Sequence, residues 1–134
     1  SIFSSRYVRA KMRCKLTIPG RLPGLNDYIA AERKHRQKGA ALKRAAQNIV
    51  CEAIGGNVRR FERQIEMRYR WHEQSRRRDK DNVSSFGRKV IQDALVECGV
   101  LRGDGWRWIA GFSDEFFVDA ANPRIEVEIL EVEG

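Results

Sequence analysis

Residues 65–72 alternate without a break: Ile65, Met67, Tyr69 and Trp71 are apolar or aromatic, and Glu66, Arg68, Arg70 and His72 are polar. A period of two puts each set on its own side of a β-strand, so the segment predicts a strand with one face on helices and the other charged and wet. Residues 11–18 alternate more loosely, with Met12, Cys14 and Leu16 on one face, Ile18 continuing the pattern, and Pro19-Gly20 and Pro23-Gly24 stopping it. Residues 106–118 and 124–132 predict two more strands joined through Ala121-Asn122-Pro123 as a terminal hairpin. In the last of them Ile125, Val127 and Ile129 or Leu130 point inward and the glutamates outward.

Between these strands the period changes. From Asn26, a predicted N-cap, to about Ala53 the composition is strongly helical. Leu42, Ala45, Ala46, Ile49, Val50 and Ala53 make the predicted buried stripe, Gly39 divides the helix in two, and Gly55-Gly56 ends it. Residues 83–98 return to helical spacing, with Val83, Phe86, Val90, Ile91, Ala94, Leu95 and Cys98 in one arc and Gly99 as the stop. The order β-α-β-α-β-β predicts an α/β (α+β) chain with one mixed sheet and helices packed on it.

A chain of 134 residues fits one domain and buries about two thirds of its extended surface, enough for a core without disulfides. Residues 1–10 differ in character from the rest and read as an arm outside a domain at 11–134. Cys14, Cys51 and Cys98 form no metal-binding spacing with His35 or His72, so three reduced cysteines in a cytoplasmic protein are expected. Nothing in the chain is apolar for long enough to span a bilayer, so no membrane partner is expected. The formal net charge of +8 favours an anionic partner, most simply nucleic acid.

Within that basic background lies an acidic island, Arg76-Arg77-Arg78-Asp79-Lys80-Asp81-Asn82, followed later by Asp104. If Asp79 and Asp81 lie in an extended segment, both carboxylates project to one side, with Asn82 beside them. Joined by Asp104, they would suit Mg²⁺, which takes oxygen ligands and keeps positions for water and phosphate. The plainer alternatives are that Asp81 caps the helix and Asp79 pairs with Arg77 or Arg78. Lys89 and Asp93, four apart, make either a surface ion pair or a charge-stabilising group near a phosphate.

Arg78-Asp79-Lys80-Asp81-Asn82, Lys89-Val90-Ile91-Gln92-Asp93-Ala94-Leu95, Gly99-Val100-Leu101 and Asp104 together resemble the RusA family of Holliday junction resolvases, and the segments LNDYIAAER and KGAALK are similar to its phage-type branch. The resemblance covers residues 77–104 most strongly. It implies a homodimeric endonuclease that needs Mg²⁺ or Mn²⁺, uses no small-molecule cofactor, and makes paired nicks across a four-way DNA junction. By that resemblance Asp79, Asp81 and Asp104 are the essential, metal-holding aspartates, Lys89 the essential lysine and Asp93 the recurrent helix aspartate. Two departures stand out. The run from Asp81 to Lys89 is longer than the family's by about one helical turn. The closing acidic pair is reduced to Asp104, flanked by Gly103 and Gly105, which puts metal affinity in question.

For DNA contact the cations beside the acidic island, Arg76, Arg77 and Lys80, are the first candidates, and Arg33, Lys34, Arg36, Lys38 and Lys43 the second. Arg44, Arg59, Arg60 and Arg63 add to the basic surface. His35 and His72 read as surface histidines or proton shuttles, and Trp106 and Trp108 either stack on an unpaired base or begin a buried strand. Phe116 and Phe117 cannot both face inward, which suggests a subunit interface for one of them. The competing functions are a branched-DNA-binding protein of the same fold that cuts weakly or not at all, a metal nuclease for flaps or RNA, and a basic assembly protein.

Overall fold

The computed structural model describes residues 11–56 and 59–132. The arm at residues 1–10 lies outside the described residues. In chain order the elements are β1 (Arg13–Pro19), α1 (Leu25–Lys34), α2 (Arg36–Ile54), β2 (Ile65–Glu73), α3 (Lys80–Glu97), β3 (Ile109–Val118) and β4 (Arg124–Glu131). The four strands form one mixed sheet in the order β1-β4-β2-β3, and three helices accompany it, an α+β architecture.

β2 follows its pattern closely: Ile65, Met67, Tyr69 and Trp71 are all fully buried. They meet Val83, Phe86, Val90, Ile91, Ala94 and Leu95 of α3, and Ala46, Val50 and Ile54 of α2, in one core. The expected terminal hairpin does not form. β4 pairs antiparallel with both β1 and β2, Ile125 lying opposite Ile18 and Trp71, whereas β3 pairs parallel with β2. A turn at residues 121–123 reverses the chain but does not choose its neighbour. The α3 crossover lays β3 parallel beside β2, and β4 fills the slot on the other side of β2.

Helix boundaries and faces also shift. The division falls at His35, whose Nδ1 accepts from the Gln37 N–H as N-cap of α2, and not at Gly39. α1 begins after Gly24, not at Asn26, and Asp27 accepts from the Gly24 N–H at 2.8 Å. On α2 the buried positions are Gly39, Ala46, Val50 and Ile54, while Ala45 and Ile49 are exposed. The apolar stripe therefore sits turned from the expected one. Gly55 ends α2 with φ of 68°, a left-handed geometry that costs other residues more. Cys98, expected inside, is exposed, and Cys14 and Cys51 are half-buried.

The second sheet face is charged but not simply wet. Glu128 is buried there beneath Arg13, Lys15 and Arg68, at 3.2, 3.9 and 3.5 Å. The expectation that all β4 glutamates point into water is corrected accordingly, and Glu131 is buried as well. Arginine side chains across β1 and β2 roof the carboxylate, which satisfies it without an apolar layer.

Candidate nucleic-acid interface and acidic site

α3 organises the candidate residues. It starts at Lys80 because Asp79 caps it: the Asp79 backbone is extended and its Oδ1 accepts from the Asn82 N–H at 2.8 Å. Asp79, and not Asp81, is therefore the cap. Asp81 lies within the first helical turn, so the two carboxylates do not share a side by strand alternation. The Asp81 carboxylate has no hydrogen bond or ion pair among the described residues and is exposed.

Asn82 serves the fold. Its Oδ1 accepts from the Asn26 N–H at 2.8 Å, which pins the start of α1 to the start of α3. The fit is close, since a Cβ on Gly24 would lie 2.6 Å from that oxygen. Tyr28 continues the contact by stacking on Phe86 at 4.7 Å.

The loop before Asp79 is held by Arg78. Its guanidinium donates twice to Glu73, at 2.9 Å each, and once to the Leu22 carbonyl at 3.0 Å. Arg21 adds a second cation to Glu73 at 3.8 Å. Arg78 thus ties the end of β2 and the β1–α1 loop to the residue adjoining Asp79. Arg76, Arg77 and Lys80 have no ion pair among the described residues, and all three are exposed.

The other half of the constellation gathers further along α3. Lys89 Nζ lies 3.1 Å from Asp93 and 3.0 Å from Asp104, and Lys43 of α2 reaches Asp93 at 2.9 Å. Two residues that the resemblance marks as essential, Lys89 and Asp104, thus meet together with the recurrent helix aspartate Asp93, although Lys89 and Asp104 stand fifteen positions apart in the chain. Hydrogen bonds to Asp104, and then to Asp93, raise the Lys89 pKa. For Asp93 burial pushes upward, but the bonds from Lys43 and Lys89 prevail and lower its pKa. Lys43 is thus engaged with a carboxylate, which weakens its candidacy for DNA contact.

Asp104 does not join Asp79 and Asp81. Asp81 precedes Lys89 by eight residues of helix, about 12 Å along the axis. Among the described residues no three of His, Cys, Asp and Glu are placed to hold a metal ion. The donor set of Asp79, Asp81 and Asp104 therefore does not fit one cation as arranged: Asp79 caps a helix and Asp104 holds Lys89. Asn82, whose oxygen is taken by Asn26, is not a spare ligand either. Gly103 has its own explanation, because a Cβ there would lie 2.8 Å from Trp108 Cδ1, and an acidic side chain would displace the indole.

The remaining candidates separate by role. Arg33, Lys34, Arg36 and Lys38 cluster exposed at the α1–α2 junction with no ion pair among the described residues. His35 is a helix cap. His72 is not a surface histidine: its Nε2 lies 2.7 Å from Glu126, and its ring stacks on Phe117 at 4.8 Å. Trp106 is 96 % exposed, and β3 begins only at Ile109, so neither tryptophan opens a buried strand. Arg102 and Arg107 flank the half-buried Trp108 at 5.8 and 5.0 Å.

Sequence reasoning missed the Glu73–Arg78 clamp and the role of Asp114, which accepts from Trp71 Nε1 at 2.9 Å and pairs with Arg88. Only the polar residues within otherwise apolar segments hinted at them. The Cys51 thiol is pushed up to about 12, mainly by burial and then by Cys98 and Glu97, which keeps it a protonated thiol.

No protein-family model matches the chain, and no curated protein matches it.

The ion pairs set an acid limit on stability. Asp93, Asp119 and Glu126 all have lowered pKa values, the last two chiefly through Arg124 and His72 respectively. Their contributions are complete above the ordinary values of 3.8, 3.8 and 4.5 and disappear as pH falls through the lower folded values. Thermal melts should show Tm nearly level from about pH 8 to about pH 6 and falling below about pH 4.5. A Tm that rises on acidification through that window would contradict the assigned pairs.

Proposed function

We propose that this chain is a structure-selective DNA endonuclease of the RusA type, which binds four-way or otherwise branched DNA and resolves it by paired nicking as a homodimer. What supports the reading best is the meeting of Lys89, Asp93 and Asp104 at 3.0–3.1 Å on an exposed surface. The cations Arg76, Arg77 and Lys80 beside Asp79 and Asp81, which have no ion pair among the described residues, add to it. Their part is to bind backbone phosphate, and Lys89 supplies positive charge beside the acids. Two-fold symmetry would match two subunits to the two strands that are cut.

Mg²⁺ or Mn²⁺ would supply Lewis-acid chemistry at the scissile phosphate. As the aspartates stand they make no preformed site for it, so the parts derived from this chain's own residues are phosphate binding and charge compensation. That arrangement favours a second reading, a protein that binds branched DNA and cuts it weakly or not at all. The observation behind it is that Asp79 is occupied as the cap of α3 and that, among the described residues, no three acidic, histidine or cysteine side chains are placed to hold an ion.

Nicking of a plasmid cruciform in Mg²⁺ and in Mn²⁺ decides between the two. Cutting is expected, and Asp81→Asn should abolish it while junction affinity changes less than about threefold, because this carboxylate has no structural partner among the described residues. Junction binding without cutting in either ion would establish the second reading. Absence of salt-sensitive DNA binding would end both.

A further inference from the structure

A groove of about 860 Å³ opens beside Asp79, between the start of α3 and the end of β3. Its size falls in the range of small-ligand sites, about 300–1,000 Å³. The walls are of two kinds. Val83, Phe116 and Val118 supply apolar surface on the α3 side and Phe117 on the His72 side of the strand edge, and Arg76 and Lys80 stand among the charged residues of the rim.

The aromatic groups are placed for stacking. Phe117 lies with one ring face on His72, at an interplanar angle of 16°, and the residue remains 42 % exposed. Lys80 Nζ sits 5.7 Å from the centre of the Phe116 ring. Val118, beside them, is 53 % exposed. These residues end β3, an edge strand, and among the described residues no further strand covers them.

The rim calls for an anion. Glu73 is neutralised by Arg78 and Arg21, and Asp79 is engaged by the N-terminus of α3, whereas Arg76 and Lys80 have no ion pair among the described residues. A second copy of the chain would bring the same unpaired cations against these, with like-charge repulsion. An aromatic plane joined to a negative charge meets both walls, and a nucleotide has that composition.

Building on the DNA-binding reading above, we propose that this groove receives one unpaired nucleotide of a branched DNA strand. The base stacks on Phe117, on the His72 side of the β3 edge, and its phosphate lies against Arg76 and Lys80 at the start of α3. The occupant is single-stranded because a paired base keeps both faces within its own stack. A branch point interrupts the helical stack and lowers the cost of freeing a nucleotide from its pair, so the groove would select branched over continuous DNA and set the strand beside Asp79.

The test uses the full chain and three labelled DNAs at fixed salt: a blunt duplex, the same duplex with a short unpaired thymidine tract, and oligothymidylate. A 2-aminopurine in the unpaired tract reports stacking. The wild type should prefer the interrupted duplex by about tenfold and quench the 2-aminopurine. Phe117→Leu keeps an apolar side chain and removes the ring. It should lose about tenfold on the interrupted duplex and oligothymidylate, with the blunt duplex changed less than about twofold. Lys80→Met should weaken all three and reduce their salt dependence.

Equal wild-type affinity for interrupted and blunt duplex, with 2-aminopurine still bright, would overturn the groove proposal and leave DNA binding standing. Failure to bind any DNA would remove the DNA reading and this proposal together. Displacement of oligothymidylate by an acidic aromatic peptide, without any quenching, would assign the groove to a peptide and overturn it too. The quenching arm needs only wild-type protein, so an unstable variant does not rescue the proposal.

Discussion

Glu73→Ala should be among the most damaging single changes in this protein, lowering Tm by about 10 °C or more. Glu73 ends β2, and its carboxylate is nearly buried. Removing it leaves the Arg78 guanidinium, itself only 16 % exposed, without the two bonds that neutralise it. Breaking a buried pair by deleting one partner costs about 3–5 kcal/mol, because the other charge stays desolvated. In a chain of this size each kcal/mol moves Tm by about 3–4 °C. The effect should extend to function, since Arg78 also bonds the Leu22 carbonyl and adjoins Asp79. Junction affinity should therefore fall with Tm. The double change Glu73→Gln with Arg78→Met leaves no buried charge and should recover more than half of the lost Tm. Differential scanning calorimetry of the variants checks this, and a Glu73→Ala protein melting within about 2 °C of wild type would refute the clamp.

Gly87→Ala should reverse the usual sign of its substitution. In an exposed helix interior, replacing glycine by alanine stabilises by about 1 kcal/mol. On α3 the new Cβ would lie 2.8 Å from Trp71 Cη2 and 2.9 Å from Cζ3. Trp71 cannot readily yield, because its Nε1 is bonded to Asp114 and its ring stacks on Tyr69 at 5.6 Å. The helix must lift from the sheet or the indole must leave its place, at a net cost of about 1–3 kcal/mol. Urea unfolding should show a lower midpoint with an unchanged slope. Trp71→Phe, destabilising alone by cavity formation, should become less so when combined with Gly87→Ala, as the smaller ring makes room for the methyl. A Gly87→Ala midpoint above wild type would show that the contact relaxes freely.

The elements were legible where a single period governs a whole segment. β2 alternates through Trp71 and α3 repeats through Leu95 because each lies against one continuous core. Strand neighbours were not legible: the Ala121-Asn122-Pro123 turn signals a reversal equally well for a hairpin or for β4 inserting beyond β2. The acidic island illustrates a different limit. Its composition pointed to Asp79 and Asp81, but their relative direction depends on where helix geometry begins, and Asp79 itself starts the helix as its cap. Spacing could propose the Lys89–Asp93 pair, whereas the placing of Asp104 on Lys89 depends on the path of the loop after α3. Asn82 bonding Asn26, and Arg78 bonding Glu73, are long-range or loop contacts that leave no periodic trace.

The position of β4 also governs how this chain is assembled on a ribosome. Among the described strands β1 emerges first, and its one partner among them is β4, the last to emerge. β2, α3 and β3 can associate as soon as they appear, whereas β1 must wait with its edge unpaired until β4 has been synthesised. A nascent chain halted before Arg124 would hold two disconnected pieces of sheet, so translation pauses between β3 and β4 are the ones that expose it to chaperones and to aggregation.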